Sequence, residues 1–231
     1  MQLPKIDVLF EDNHLLVLNK PAGAITMGAP AGKPSLLDAA KAYIGQKYNK
    51  PGKVYLGAMS RLDVPVSGVI LFARTSKAAA RLTKQFRTHR VEKIYWAIVS
   101  GPPPPPAGEC VDWLRKDERH RRVFVVEPLA PGAKEAKLSF RRLARLKADT
   151  LLEIRLHTGR KHQIRVQMAG RGNPILGDRK YGSGRAFPLG IALHSRRLVV
   201  QHPISREPME FIAPLNAAWP RLDDELTRGN T

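Results

Sequence analysis

Ser60–Thr75 reads SRLDVPVSGVILFART, and the neighbouring segments take their meaning from it. Its second half, Gly68-Val69-Ile70-Leu71-Phe72-Ala73, is apolar without alternation, which predicts a strand over 67–74 buried on both faces. Its first half sets Asp63 two residues after Arg61, in a loop bounded by Pro65 and Gly68. An acid in a sharp loop that feeds a buried strand sits where a cleft wall would be. By spacing alone, the plainer reading of Asp63 is a turn residue or a helix cap.

Upstream, Val8-Leu9-Phe10 and Leu15–Leu18 predict two short strands around the turn residues Glu11-Asp12-Asn13. Lys20-Pro21-Ala22-Gly23 breaks the chain, and Ser35 is placed to cap a helix that runs to about Tyr48. Downstream, Ser76 can cap a helix in which Ala79, Leu82 and Phe86 form one stripe, with Lys77, Arg81 and Lys84 elsewhere. A strand is expected at Lys93–Val99, then an extended surface connector from Gly101 through Pro102–Pro106. Further strands are predicted at Val123–Val126, Lys137–Leu143, Leu151–Leu156, Ile191–Val200 and Met209–Ile212. A helix is predicted at about Lys161–Ala169, with a turn-rich stretch from Gly170 to Gly190 and a polar end. Strands outnumber helices, and the loops are too short for repeated parallel crossovers. The expected fold is α+β around a mostly antiparallel sheet, with residues 1–231 as one domain.

Composition narrows the partners. The 231 residues carry 39 Lys+Arg against 20 Asp+Glu, a formal net charge of +19. Hydrophobic residues at 43% and charged residues at 26% are an ordinary globular mix. The single Cys110 excludes a disulfide framework or a Cys-cluster metal site within one chain. No apolar run reaches membrane-spanning length, and the start does not read as a signal or transit peptide. The expectation is a cytoplasmic protein whose partner is a polyanion, nucleic acid first. The cations are interleaved with apolar residues, as in Arg121-Arg122 before Val123–Val126, so the charge belongs to a folded face and not to a tail. The densest stretch is Arg115–Lys147.

A second segment carries chemistry: His157-Thr158-Gly159-Arg160-Lys161-His162-Gln163-Ile164-Arg165. It comes after a strand and opens a helix. Thr158 can cap that helix, leaving first-turn N–H groups to face an anion beside Arg160 and Lys161. His157 and His162 lack a third ligand at metal spacing, so a hydrogen-bonding role is preferred and no metal is expected.

SRLDVPVSGVILFART resembles the RLD motif region of the RluA-type pseudouridine synthases. Its continuation, SKAAARLTKQFRTHRVEKIYWAIVSG, is similar to the family's segment downstream of that motif. The resemblance recurs, in the family's order, at EDNHLLVLNKPAG (Glu11–Gly23), LHTGRKHQIRVQMAGRGNPILGDRKYG (Leu156–Gly182) and LHSRRL (Leu193–Leu198). It implies an enzyme that isomerises uridine in structured RNA, ribosomal or transfer, with no metal and no organic cofactor. It also implies a sheet divided by a central cleft, with flanking helices. Asp63 falls on the catalytic aspartate, Tyr95 on the active-site tyrosine and Arg165 on the basic residue that pairs with the aspartate. Arg61 falls on the arginine that helps hold the target nucleotide out of the helix. Arg160, Lys161, His162, Arg121 and Arg122 are the further candidate RNA contacts.

The chemistry suits these residue types. The base must leave C1′ through N1, rotate and reattach through C5, so the nucleotide has to be extruded, at about a few kcal/mol. Asp63 acts either as nucleophile or as base toward a sugar proton, and sequence does not choose between them. Tyr95 offers a flat ring for the base and a hydroxyl for the C5 proton.

Two positions depart from the family pattern: Ser60 stands where His is usual, and Val66 where Thr is usual. They encourage one rival expectation, a non-catalytic RNA-binding or ribosome-assembly protein that keeps the fold. A DNA-binding regulator is disfavoured, since no helix-turn-helix pair is visible. The chain opens directly on the catalytic domain, so RNA recognition is expected on its own surface, at Arg115–Lys147 and the Lys77–Arg90 helix. No uncovered apolar stripe is evident, and the expected state is a monomer.

Overall fold

Every residue of Ser67–Ala73 is buried, as its unalternating apolar run requires. The computed structural model describes residues 3–102 and 104–220. In chain order the elements are β1 (Val8–Glu11), β2 (Leu15–Lys20), α1 (Leu36–Lys47), β3 (Gly57–Ala58), β4 (Ser67–Ala73), α2 (Ser76–Arg87) and β5 (Glu92–Ser100). Next come β6 (Ala107–Asp117), β7 (Arg122–Val126), β8 (Lys134–Leu146), β9 (Asp149–Leu156), α3 (Gln163–Ala169), a 3-10 turn at Arg179–Tyr181, β10 (Leu193–Gln201) and β11 (Pro208–Ile212). The fold is α+β on mixed, mostly antiparallel strands.

The chain divides into two compact units. The first holds residues up to Tyr95 together with His194–Pro214. Within it β1 pairs antiparallel with β2, and β2 antiparallel with β4 in the register Leu18↔Ile70 and Lys20↔Gly68. β4 touches β10 in parallel over two positions, His194↔Ser67 and Ser195↔Gly68, and β11 returns antiparallel on β10. Both faces of β4 are covered. Ile70 and Phe72 pack with Leu36, Ala40 and Ile44 of α1, while Val69, Leu71 and Ala73 pack with Ala78 and Leu82 of α2. Successive residues of a strand point to opposite faces, and here each face meets a helix, so β4 tolerates no polar alternation.

The second unit holds Trp96–Leu193 with the segment from Leu215. Its strands run in the order β9-β8-β6-β7, antiparallel throughout. One face of them, at Leu114, Val123 and Ala136, packs against Val166 of α3 and Tyr181.

Several sequence expectations are corrected. α2 is capped one residue earlier than expected: Thr75 is extended, and its hydroxyl accepts from the Ala78 N–H at 3.1 Å. Ser35 does cap α1, in a reciprocal capping box with Asp38. β6 escapes a reading of the sequence, because only Cys110 and Leu114 of its inward positions are apolar and buried, with Asp112 between them on the same face and Val111 exposed. The proline connector is tethered where it is described, with Pro102 and Pro104 carbonyls accepting from Asn173 and Arg142. Pro103 and the polar end beyond residue 220 lie outside the described residues. α3 starts two residues later than Lys161, from a left-handed His162 with no side-chain cap.

Candidate active site

Asp63 lies just before β4, partly buried, in the turn that leads to Ser67. What holds this turn is a lysine with no solvent exposure. The Lys20 ammonium at the end of β2 donates to the carbonyls of Val66 at 2.6 Å, Pro21 at 3.0 Å and Val64 at 3.2 Å. Two of those carbonyls flank Pro65, so one buried cation fixes the backbone on the C-terminal side of Asp63. Burial pushes the ammonium down to about 8, and the nearby Asp63 charge opposes that shift. On the N-terminal side, Thr26 and the Leu62 backbone exchange hydrogen bonds of 2.9 and 3.3 Å. Thus the acid is held at both flanks. Arg61 is exposed.

The first residues of β4 need Gly68. Its φ is +111°, and a Cβ there would lie 2.3 Å from the Ser195 carbonyl oxygen. Only glycine allows β10 to come this close and bring Ser195 alongside the Asp63 turn. Ser195 hydrogen-bonds the hydroxyl of Tyr95, which is half-buried on β5. Burial raises that phenol to about 12, the Ser195 bond opposes the shift, and Asp63 adds to it. Tyr95 is therefore a neutral phenol within electrostatic reach of Asp63. Beneath them His194 bonds Ser67 Oγ at 2.8 Å through Nδ1 and the Ala213 carbonyl at 3.2 Å through Nε2. Desolvation pushes His194 down to about 4, so it is a neutral brace, and the Ala213 bond makes Nε2 the protonated nitrogen.

The second unit holds Arg165. It is buried on α3, and its guanidinium forks onto Asp178, Nε to Oδ2 at 2.6 Å and Nη2 to Oδ1 at 2.9 Å. Its charge also lies 5.1 Å from the centre of the Tyr181 ring. The Tyr181 hydroxyl accepts from the Val123 N–H at 3.0 Å and meets His162 Nδ1 at 2.7 Å. Arg122 stands over the same ring at 5.5 Å and donates to the Lys180 carbonyl, while Lys180 reaches back to the Arg121 carbonyl at 2.8 Å. Through Tyr181 and Lys180 the structure therefore brings together Arg165, His162, Arg121 and Arg122, four of the candidate residues. Arg160 and Lys161 are exposed just before α3.

The expected anion site at the start of this helix is not built that way. Thr158 accepts from the Lys137 N–H at 2.9 Å and donates to Gln163 Oε1, and that same oxygen takes the Arg160 N–H at 2.9 Å. His157 meets Ser139 Oγ at 3.0 Å. Among the described residues no three His, Cys, Asp or Glu side chains form a metal-binding group. Nor is any helix among them long and apolar enough to cross a membrane.

Sequence reasoning assigns no role to Lys20, Ser195, His194, Asp178 or Tyr181. All five lie in stretches that carry the family resemblance, NKPAG, LHSRRL and ILGDRKYG. The available signal is a Lys directly before Pro-Ala-Gly, and an acid and a tyrosine spaced for one turn.

A family model described as RNA pseudouridylate synthase matches residues 14–170. The dual-specificity RNA pseudouridine synthase RluA of Haemophilus influenzae is 35% identical over 218 residues, covering 91% of this chain and 93% of that protein. The ribosomal large subunit pseudouridine synthase D of Zymomonas mobilis is 33% identical over 221 residues, 91% of this chain and 69% of that one. Among solved structures, human RNA pseudouridylate synthase domain containing 4 superposes with a TM-score of 0.76 at 24% identity. That match covers 91% of this chain and 89% of the human one.

Proposed function

The chain belongs to the RNA pseudouridylate synthase family, as an isomerase of uridine in RNA, and from this we propose that Asp63, Tyr95 and Arg165 carry the reaction on ribosomal or transfer RNA. The observation that carries the residue assignment is the Asp63 turn: an acid in a backbone turn held by a buried cation, within electrostatic reach of a neutral tyrosine, at the head of a buried strand.

The target uridine is flipped from its stack, with Arg61 filling the space it leaves or bonding the orphaned partner. Asp63 then serves the sugar or the base while the N1–C1′ bond breaks. The detached ring turns against the flat face of Tyr95 until C5 meets C1′. The C5 proton leaves after the new carbon–carbon bond forms. The neutral Tyr95 phenol carries it by passing its own proton on toward Ser195 and solvent as it accepts, and N1, which left C1′ with the bonding pair, takes a proton from solvent. Ser195 holds that hydroxyl in place, and Arg165, oriented by Asp178, is the basic residue that the family resemblance assigns to the reaction. Arg160, Lys161, His162, Arg121 and Arg122 contact RNA phosphates. The enzyme works as a cytoplasmic monomer in a single catalytic domain, with neither metal nor organic cofactor.

Tritium release from C5-labelled uridine RNA tests the assignment. Asp63→Asn should lower release by roughly 10⁴-fold, the upper end for losing a general base, while RNA binding is retained. Equal release by both proteins would sink the role of Asp63. If neither protein released tritium from any RNA offered, the non-catalytic RNA-binding reading would replace this one. Pseudouridine maps of cellular RNA with and without the protein identify the target.

A further inference from the structure

No Asp or Glu occurs between Asp63 and Glu92, a span that contains all of α2 and six Lys or Arg. Arg74 is paired with Glu11. Among the described residues no carboxylate pairs with Lys77, Arg81, Lys84, Arg87 or Arg90. The stretch Arg115–Lys147 is different, since Lys116, Lys137 and Arg141 are each tied to a glutamate.

Helical geometry lines these cations up. Ala78 and Leu82 are buried and Phe86 packs beside them, which leaves Lys77, Arg81, Lys84 and Arg87 on the remaining arc. At 1.5 Å per residue one of them recurs about every 5 Å along the axis. The helix is pinned without most of them. Gln85 exchanges hydrogen bonds of 2.8 and 2.9 Å with the Gln201 backbone, and Arg81 donates to the Pro203 carbonyl at 2.6 Å. Lys77, Lys84, Arg87 and Arg90 hold nothing in place.

The arc offers no large exposed apolar residue between Ser76 and Arg90. A protein partner would want such an anchor, whereas a phosphate backbone wants spaced cations. Its position matters too. α2 covers the Val69 and Leu71 face of β4. Lys20 pairs with Gly68 and Leu18 with Ile70, so Lys20 projects to the other face, where it holds the Asp63 turn. The arc and the lysine that holds the Asp63 turn are therefore on opposite faces of β4.

We propose that the exposed arc of α2 is a second RNA-docking surface, which takes the phosphates of a segment outside the target stem-loop. This rests on RNA being the substrate and says which part of a large RNA this face meets.

The test compares a long fragment of large-subunit ribosomal RNA with a single hairpin cut from it, over a salt series. Lys77→Gln, Lys84→Gln, Arg87→Gln and Arg90→Gln are combined in one variant, and arginine-for-lysine at 77 and 84 serves as a charge-keeping control. The glutamine variant should bind the long fragment at least tenfold more weakly, with a log K against log salt slope shallower by about 3. Hairpin affinity, tritium release on the hairpin and thermal midpoint should stay at wild-type values. An unchanged slope on the long fragment overturns the proposal and leaves the arc to solvent or an acidic protein. Equal losses on both RNAs also overturn it, because the arc would then belong to one footprint. If the wild type isomerises neither RNA, the enzymatic reading fails, and the slope comparison still decides the docking surface.

Discussion

Asp63 and Arg165 are both held by buried charge, but in opposite ways. The Asp63 turn is fixed by a lysine whose ammonium is met by three neutral carbonyls. Arg165 is fixed by a full countercharge, the fork onto Asp178, with 5% and 2% of the two residues exposed. Carbonyl dipoles orient a cation without cancelling its charge, so desolvation moves the lysine proton into the range near pH 8. A carboxylate cancels the charge and a guanidinium does not lose its proton, so the second arrangement is insensitive to such pH. One region is thus positioned by an ammonium whose proton burial loosens, the other by a buried ion pair.

The most forceful challenge to this contrast is to remove the countercharge. Asp178→Ala strips the fork from a buried guanidinium and should destabilise the protein by about 3–5 kcal/mol, the range for losing one partner of a buried pair. Asp178→Asn keeps one acceptor and should lose less. Urea unfolding, read by far-UV circular dichroism, measures both. A loss below about 1 kcal/mol for Asp178→Ala would mean that Arg165 is oriented by its other contacts, the Tyr181 ring foremost.

The same contrast explains how much the sequence could tell. Position 63 and the strand after it are legible because a local pattern states them: an acid among turn residues, then seven positions without a polar face. Tyr95 and Arg165 become candidates through resemblance alone, since a strand tyrosine and a helix arginine read as ordinary structure. Lys20 reads as the start of a turn, and it is one, but nothing in its neighbours announces burial. Its three acceptors include Val64 and Val66, more than forty residues away, and such contacts come from register and not from composition. β6 is lost for a related reason. Its inward face is narrow, and Asp112 between Cys110 and Leu114 is instead bonded to Gln167 and Arg171. The expected cap of α3 fails because Gln163 Oε1, a side chain inside the helix, takes the role that Thr158 and an anion would share.

A smaller effect bears on the lysine side. Lys20→Met keeps much of the length of the side chain and removes the donor, leaving the Pro21, Val64 and Val66 carbonyls without it. Removing a buried charge offsets part of that loss, so the expected destabilisation is about 1–3 kcal/mol at neutral pH. Because the turn next to Asp63 loosens, kcat for tritium release should fall by more than KM rises. If KM alone changed, the lysine would be supporting RNA binding and not the acid.

The smallest effect is the most specific. Lys20 holds its proton to about pH 8 in the folded chain and to about 10.5 when unfolded. Below pH 8 both states are protonated, and the desolvation penalty of the buried ammonium is fully present and constant. Between 8 and 10.5 the folded state has released the proton and the unfolded state still binds it. Stability therefore gains with rising pH across that window, by up to about 3 kcal/mol from this group. The unfolding free energy of wild type minus that of Lys20→Met should climb from pH 8 to 10.5 and be flat below 8. The Asp178→Ala difference should show no such climb, because arginine stays charged throughout. A flat wild-type minus Lys20→Met difference would place the lysine proton outside this window, and the two anchors would then be alike.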